Sequence, residues 1–187
     1  MTPNSRYPVT LRDAELSDAE ALVDIWQGVI RRAERSEQVA DMESVVHEVG
    51  QHEDRRVLVA VVEGTVVGAV YLQAATVTPI NLEPALLTVS PHVLASHRRH
   101  GIGHALVEAA VAWAEELGIA YVATAATAGA RDANRFMARL ALTPTAMLRV
   151  ATTVAVRSKL AGHGTSLTRS RARVLSMRRT QRRTRPA

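Results

Sequence analysis

Apolar residues separated by three and four positions recur in several parts of the chain, and this spacing predicts helices. The predicted helices cover about residues 17–30, 37–49, 102–117 and 132–140. Ser17 followed by Glu20 has the spacing of a capping box, so we expect Ser17 to begin the first helix. Gly50 and Gly118 follow the second and third helices, where glycine commonly ends a helix.

Continuous apolar runs between the helices predict strands. The predicted strands cover about residues 7–11, 57–62, 65–72, 86–94, 121–125 and 145–155, with a loop over 79–84. Glu63-Gly64 is a turn signal, so the second and third strands are expected to form a hairpin. Ser90-Pro91 interrupts the fourth strand, and we expect a β-bulge there because proline cannot donate a hydrogen bond to a neighbouring strand. The order of elements predicts one mixed α/β domain.

Composition removes several classes of function. The 187 residues include no cysteine, which excludes a disulfide scaffold, a thiol nucleophile and any cysteine-ligated metal site. Aromatic residues make up only 3 %, so the core must be built from Ala, Val, Leu and Ile. No run of 18 apolar residues predicts a membrane span, and the first residues lack the apolar stretch of a secretory signal. A cytoplasmic location is therefore expected.

Charge divides the chain into two parts. Residues 1–160 hold 15 Lys and Arg against 18 Asp and Glu, a net charge of −3, whereas residues 161–187 hold eight Arg and no acidic residue. We predict a folded domain over 1–160 and a disordered, Arg-rich tail over 161–187. Such a tail is either simply solvated or makes a weak, phosphate-driven contact with nucleic acid.

The segment that follows the fourth strand carries the clearest candidate chemistry. Arg98 and Arg99 flank a turn with Gly101 and Gly103 that opens a helix. Glycine lets the backbone approach a ligand, and the first turn of a helix offers unpaired N–H groups to a pyrophosphate. A dinucleotide-binding turn would need glycine where Leu106 stands, and a Walker loop would need Gly-Lys-Ser/Thr, which is absent.

Residues 98–103, Arg-Arg-His-Gly-Ile-Gly, resemble the Arg/Gln-x-x-Gly-x-Gly/Ala signature of the GNAT family, the Gcn5-related N-acetyltransferases. Residues 10–20 are similar to the usual opening of that family and residues 132–142 to its late helix, so the resemblance covers most of 7–157. It implies a central, mostly antiparallel sheet that is splayed at one parallel strand pair. It also implies acetyl-CoA as co-substrate, a primary amine of a small molecule, peptide or protein as acceptor, and a homodimer as one possible assembly.

The resemblance also implies which residues would hold the cofactor. The pantetheine would pair with the strand edge at Val93 and Leu94, and Asn134 on the late helix would contact the cofactor. The pyrophosphate would lie on the backbone from Arg99 to His104, with charge added by two arginine side chains. The cofactor-binding residues expected in this turn are Arg98, Arg99, His100, Gly101, Ile102, Gly103 and His104.

Catalysis in the family is direct attack of an amine on the thioester, with a base to deprotonate the amine and often a tyrosine acid. Glu83 and His92 are the candidate catalytic residues for the base. Met137 stands where the family usually has the tyrosine, and methionine cannot donate a proton. The alternatives are therefore a weakly active or inactive fold that binds or senses acyl-CoA, and an RNA- or ribosome-associated acyltransferase guided by the tail.

Two further groups of residues have simpler interpretations. Three histidines, at positions 97, 100 and 104, have spacings that metal ligands use, but they stand beside two arginines that would repel a cation, so no metal site is expected. Trp26 and Trp113 lie on apolar helix faces and are predicted to be core residues that do not stack on a cofactor.

Overall fold

The computed structural model describes residues 8–126 and 129–161. The chain divides into two units, Met1–Thr143 and Pro144–Ala187, and each is described by itself. The helices and strands of the first unit are β1 (Val9–Asp13), α1 (Ala19–Ile25), α2 (Arg35–Val49), β2 (Arg55–Val62), β3 (Thr65–Thr78), β4 (Asn81–Val93), α3 (Ile102–Glu116), β5 (Tyr121–Thr124) and α4 (Arg131–Arg139).

One five-stranded sheet organises the first unit, with the strands in the order β1-β2-β3-β4-β5. The first four strands pair antiparallel, and β4 pairs parallel with β5. The predicted hairpin between β2 and β3 is confirmed. Its turn residues Glu63 and Gly64 have φ values of 50° and 77°, the positive values that a tight two-residue hairpin turn requires. The expected mixed α/β fold, mostly antiparallel with one parallel pair, is confirmed as well.

The hairpin of β3 and β4 is longer than the sequence predicts. Residues 79–84 were expected to form a loop, but β3 extends to Thr78 and β4 begins at Asn81. Pro84 pairs with Thr76 inside this extension. Proline is tolerated there because β5 pairs with β4 only from Ala85 onward, so the N–H that proline lacks would have faced an open edge.

Helices cover both faces of the sheet, and alternation along the strands divides the core between them. Val57 and Val59 of β2 belong to the cluster with α1 and α2, whereas Leu58 and Ala60 belong to the cluster with α3. Because successive side chains of a strand point to opposite faces, a continuous apolar run is what a strand covered on both faces requires. Both tryptophans are buried in these clusters, as predicted, with Trp26 on the α1/α2 face.

The entry into α1 differs from the prediction. A capping box of Ser17 and Glu20 was expected, but the box joins Glu15 and Asp18 across a 3₁₀ turn. The Asp18 carboxylate accepts a hydrogen bond from the Glu15 N–H at 2.8 Å and two from the Arg12 guanidinium at 2.6 and 2.9 Å. The tertiary pair with Arg12 of β1 therefore decides where the helix begins.

The predicted last strand over 145–155 is wrong. In the described part of the second unit, residues 144–152 form no helix or strand, and a helix covers 153–161. The Thr152 hydroxyl accepts a hydrogen bond from the Ala155 N–H at 3.2 Å, which caps this helix at its N-terminus. An apolar pattern forms a strand only where a partner edge is present, and here the local cap directs the backbone into a helix.

Some predictions lie outside the described residues. These are the predicted Arg-rich tail, apart from residue 161, and Tyr7 at the start of the first predicted strand. In the described ranges, no helix combines the length and the apolar composition needed to cross a membrane.

Candidate active site

The sheet opens between β4 and β5. The two strands pair only from Ala85 to Thr88 of β4 and from Tyr121 to Thr124 of β5. At the last rung the Thr124 hydroxyl donates to the Thr88 carbonyl at 2.9 Å, and the Thr88 hydroxyl donates to the Ala123 carbonyl at 3.2 Å. Because β4 continues to Val93 and β5 ends, the last residues of β4 have an edge that β5 does not cover.

The predicted bulge lies at the start of this open edge and is confirmed. The pairing of β3 with β4 shifts between the pairs Tyr71–Val89 and Ala69–His92, where β4 has one residue more than β3. Ser90, inside the shifted segment, has a φ of 49°, a left-handed backbone conformation that occurs in one class of β-bulge. The extra residue changes which face each side chain meets, since Leu86 and Val93 both pack on the α3 side despite their odd spacing.

Backbone groups at the end of β4 are divided between the two edges. The Leu94 N–H donates to the Val67 carbonyl of β3, and the Leu94 carbonyl accepts from the His97 N–H, both at 2.9 Å. Neighbouring residues of a strand direct their groups to opposite edges, so Val93 faces the open edge. Its carbonyl accepts a hydrogen bond from the Arg98 Nε at 3.0 Å. Of the two strand residues expected to pair with a cofactor, Val93 has backbone groups at the open edge, whereas the N–H and carbonyl of Leu94 are already bonded within the protein.

The turn after β4 presents the N-terminus of α3. Arg99 and Gly101 have φ values of 65° and 85°, which turn the chain sharply before the helix. The first hydrogen bond at this end of the helix runs from the Ala105 N–H to the Gly101 carbonyl at 3.0 Å. The N–H groups of residues 102–104 therefore have no partner within the helix and carry its positive dipole end. Unpaired N–H groups at the start of a helix are what an anion site uses, and the binding of a pyrophosphate at this turn stays a prediction.

Of two glycines near this turn, one is tightly packed and the other has room for a Cβ. A Cβ on Gly68 of β3 would lie 3.1 Å from the His92 carbonyl oxygen and 3.3 Å from Ile102 and Val93. A Cβ on Gly103 would meet Phe136 of α4 at 3.8 Å, an ordinary contact distance. Gly68 is not among the residues predicted from the sequence, although an isolated glycine within a strand is a signal of close backbone approach.

The structure separates the two candidate bases. His92 lies directly after the bulge and is half-buried, and burial lowers its pKa, followed by the charge of Arg98. Its side chain is on the α1/α2 face, since its neighbour Val93 faces α3. Glu83 lies at the other end of β4, before the paired segment, about 33 Å along the strand from Val93 at about 3.3 Å per residue. Only His92 is therefore near the opening.

Helix α4 contributes two residues of interest. The Asn134 Nδ2 donates to the Ala130 carbonyl at 2.9 Å, and Asn134 lines a surface depression of about 390 Å³ together with Arg131 and Arg135. Met137 points inward and is only 7 % exposed. The position where the family usually has a tyrosine is therefore occupied by a core residue.

The histidines of the turn form separate contacts. The His97 Nδ1 lies 2.8 Å from the Ser96 hydroxyl, and the His104 Nδ1 lies 3.7 Å from a Glu108 carboxylate oxygen. Among residues 8–126 and 129–161, no three His, Asp or Glu side chains are grouped so that they would hold a metal ion.

A sheet that opens beside a parallel pair and leads into a helix N-terminus defines an α/β domain suited to an extended, anionic ligand. The profile of the acetyltransferase (GNAT) family matches residues 22–141, from α1 to the end of α4. The chain therefore belongs to the GNAT acetyltransferase family, as the resemblance indicates. No curated protein sequence matches the chain.

Solved structures with the same fold have diverse descriptions. A transcriptional regulator from Bacillus halodurans C-125 is 18% identical, with a TM-score of 0.65, over 78% of this chain and 100% of that one. An aminoglycoside N-acetyltransferase in complex with CoA is 15% identical, with a TM-score of 0.65, over 82% and 99%. A ribosomal-protein-alanine N-acetyltransferase from Brucella melitensis biovar Abortus 2308 is 20% identical, with a TM-score of 0.58, over 78% and 99%. At these sequence identities, the similarity shows only that the proteins share a fold.

Proposed function

We propose that this protein is an N-acetyltransferase that transfers the acetyl group of acetyl-CoA to a primary amine. The observation that carries the proposal is the open edge of β4, which begins at the bulge and leads directly into the N-terminus of α3. Two structural neighbours support it, since one is described as an aminoglycoside acetyltransferase in complex with CoA and the other as an alanine acetyltransferase of ribosomal protein. The acceptor is a small molecule, a peptide or a protein with a free amine.

The residues present fit acetyl-CoA. The free N–H groups of residues 102–104 would bind the pyrophosphate, and the side chains of Arg98 and Arg99 would add positive charge. The backbone of Val93 would pair with the pantetheine, and its carbonyl has a second lone pair beside the bond from Arg98. His100, Gly101 and Gly103 shape the turn, Leu94 would contribute side-chain contact, and Asn134 would approach from α4.

The cofactor supplies an activated acetyl thioester, and the protein supplies position and a base. In the proposed reaction the amine nitrogen attacks the thioester carbonyl carbon, a C–N bond forms, the C–S bond breaks, CoA leaves as the thiolate and the amine loses a proton. We assign the proton to His92, whose lowered pKa keeps the imidazole neutral at pH 7. Glu83 remains a candidate from the sequence alone. It lies at the end of β4 away from the opening, so His92 is the preferred base.

A second candidate function is a domain that binds or senses acyl-CoA with little turnover. The observation that favours it is Met137, which is buried where a proton donor would stand. The predicted homodimer and the predicted contact of the tail with nucleic acid have no support in the described residues, and they remain predictions.

Release of CoA thiol across a panel of amines separates the two candidates. The protein has no cysteine, so a thiol reagent reads CoA release without background from the protein itself. Turnover at about 1 s⁻¹ or more with any amine supports the transferase, since this is the lower end of ordinary enzyme rates. If acetyl-CoA binds but no small amine, peptide or protein causes the release of CoA thiol, the result supports the sensor instead.

A further inference from the structure

Trp26 joins the end of α1 to the bulge of β4. It is the C-cap of α1, only 5 % exposed, and its indole N–H donates to the Ser90 carbonyl at 2.8 Å. Its own carbonyl accepts hydrogen bonds from the Val29 and Ile30 N–H groups at 2.8 and 3.1 Å. One buried residue therefore ties α1, the first turn of the following loop and the bulge together.

This bond satisfies the backbone of the bulge. A bulge leaves one residue of a strand without its ladder partner, and a buried carbonyl without a partner is unfavourable. Ser90 is the residue with positive φ, and Trp26 accounts for its carbonyl. Pro91 follows and has no N–H to satisfy. The bulge is thus stable in this form because an indole from another element replaces the missing strand bond.

The bulge in turn sets how the end of β4 is presented. It shifts the alternation by one residue, so that Val93 packs on the α3 side and His92 faces the other way. We propose that Trp26 is a positioning residue for the cofactor strand: through Ser90 it holds the register that directs the Val93 backbone to the open edge. This inference rests on the proposed binding of acetyl-CoA to that edge.

Trp113 provides a matched control within the same chain. It is 7 % exposed and lies in the core cluster on the α3 face, with the Arg56 guanidinium 5.4 Å from its ring centroid. No hydrogen bond of its indole N–H is found in the described residues. Replacing either tryptophan with phenylalanine keeps an aromatic ring and removes comparable volume, but only Trp26→Phe removes a bond to the cofactor strand.

The test is the dissociation constant of acetyl-CoA, measured by calorimetry at pH 7 for the wild type, Trp26→Phe and Trp113→Phe. We expect Trp26→Phe to bind about three- to tenfold more weakly, the effect of one lost hydrogen bond. Trp113→Phe should bind acetyl-CoA within about twofold of wild type, even if it loses as much thermal stability as Trp26→Phe does. Equal affinity in the two variants overturns the inference and leaves the proposed function standing. Absence of binding to the wild type overturns the proposed function, and the inference with it.

A second measurement applies even if Trp26→Phe does not fold. In Trp113→Phe, Trp26 is the only tryptophan, so its indole N–H gives a single resolved NMR signal. Saturation with acetyl-CoA should shift this signal, because the carbonyl it binds lies three residues from the paired edge. An unmoved signal at saturation overturns the inference.

Discussion

Asp18 and Thr88 are the two buried polar side chains of the described residues, and each has a defined partner. Asp18 holds the start of α1 to β1 through Arg12, and Thr88 closes the last rung before the sheet opens. Burial of such groups is stable only when their hydrogen bonds are made within the protein. Both residues therefore act on the frame around the site, and neither is available to react.

Replacing Asp18 by asparagine should destabilise the fold by about 2 kcal/mol at pH 7, because the bonds from Arg12 lose their charge. The hydrogen bond from Arg12 lowers the pKa of Asp18 below its ordinary value, against the opposing effect of burial. A carboxyl with a lowered folded pKa stabilises the protein above its unfolded pKa of about 4, and this stability is lost as the pH falls below that.

Urea unfolding of wild type and Asp18→Asn from pH 7 to pH 3 measures this difference. The gap between the two proteins should be constant above about pH 5 and shrink below about pH 4. Asp41→Asn is the control, since its pair with Arg31 at 2.6 Å is exposed on both sides and should matter little. A gap that is independent of pH down to pH 3 would contradict the account.

His92 gives a prediction about the pH dependence of turnover. A base must be neutral to accept a proton, and burial with Arg98 lowers the pKa of His92 below its ordinary value near 6.5. We expect kcat/KM to be level at neutral pH and to fall only below about pH 6.5. His92→Gln should lower kcat about a hundredfold and remove that acidic limb. The same limb in His92→Gln would show that another group is the base.

At the scale of elements, the site is a junction of β4, α3 and α4. The strand ends at Val93, the turn reverses at Gly101, and the helix begins at Ile102 with three N–H groups that have no partner within the helix. The ring of Phe136 in α4 lies next to Gly103, 3.8 Å from where a Cβ would be. The proposed anion site is therefore formed by backbone, and the side chains around it would determine how closely a ligand approaches.

Gly103 is the position that tests this junction most simply. Its added Cβ would meet Phe136 and Val93 at 3.8 and 3.9 Å, so Gly103→Ala should fold normally and bind acetyl-CoA within about threefold of wild type. Gly103→Glu places a carboxylate beside the expected phosphates and should weaken binding by more than about tenfold. Calorimetric titration of both variants checks this, and equal affinity for the two would place the anion elsewhere.

Local chemistry explains which elements the sequence predicts correctly. The turn at Glu63-Gly64 and the bulge at Ser90-Pro91 are recognisable because the residues themselves restrict the backbone there. The strand expected over 145–155 depended on a partner edge, which no local pattern specifies. The bond from Trp26 to Ser90 spans 64 positions in sequence, so neither residue by itself indicates it. Sequence patterns locate the anion turn, and only the folded sheet shows which edge faces it.

At the scale of the whole molecule, the family and the site agree on what is bound, and the neighbours differ in what they are described as acting on. Residues 1–160 have a net charge of −3, which attracts a cationic amine only weakly. Neighbours that share the fold have diverse descriptions, so an assay across amines identifies the acceptor. The claim on which everything else depends is that the opened strand and the α3 turn bind acetyl-CoA.

Thermal unfolding with acetyl-CoA, CoA and longer acyl-CoAs tests that claim most directly. A ligand that binds only the folded protein adds about 2.7 kcal/mol at a hundred times its dissociation constant. For a chain of this size we expect the midpoint to rise by about 5–10 °C with acetyl-CoA. The rise should persist in Gly103→Ala and be at most about half as large in Gly103→Glu. A midpoint unchanged by every CoA compound would contradict the account, because the opened edge and the anion turn would then bind none of them.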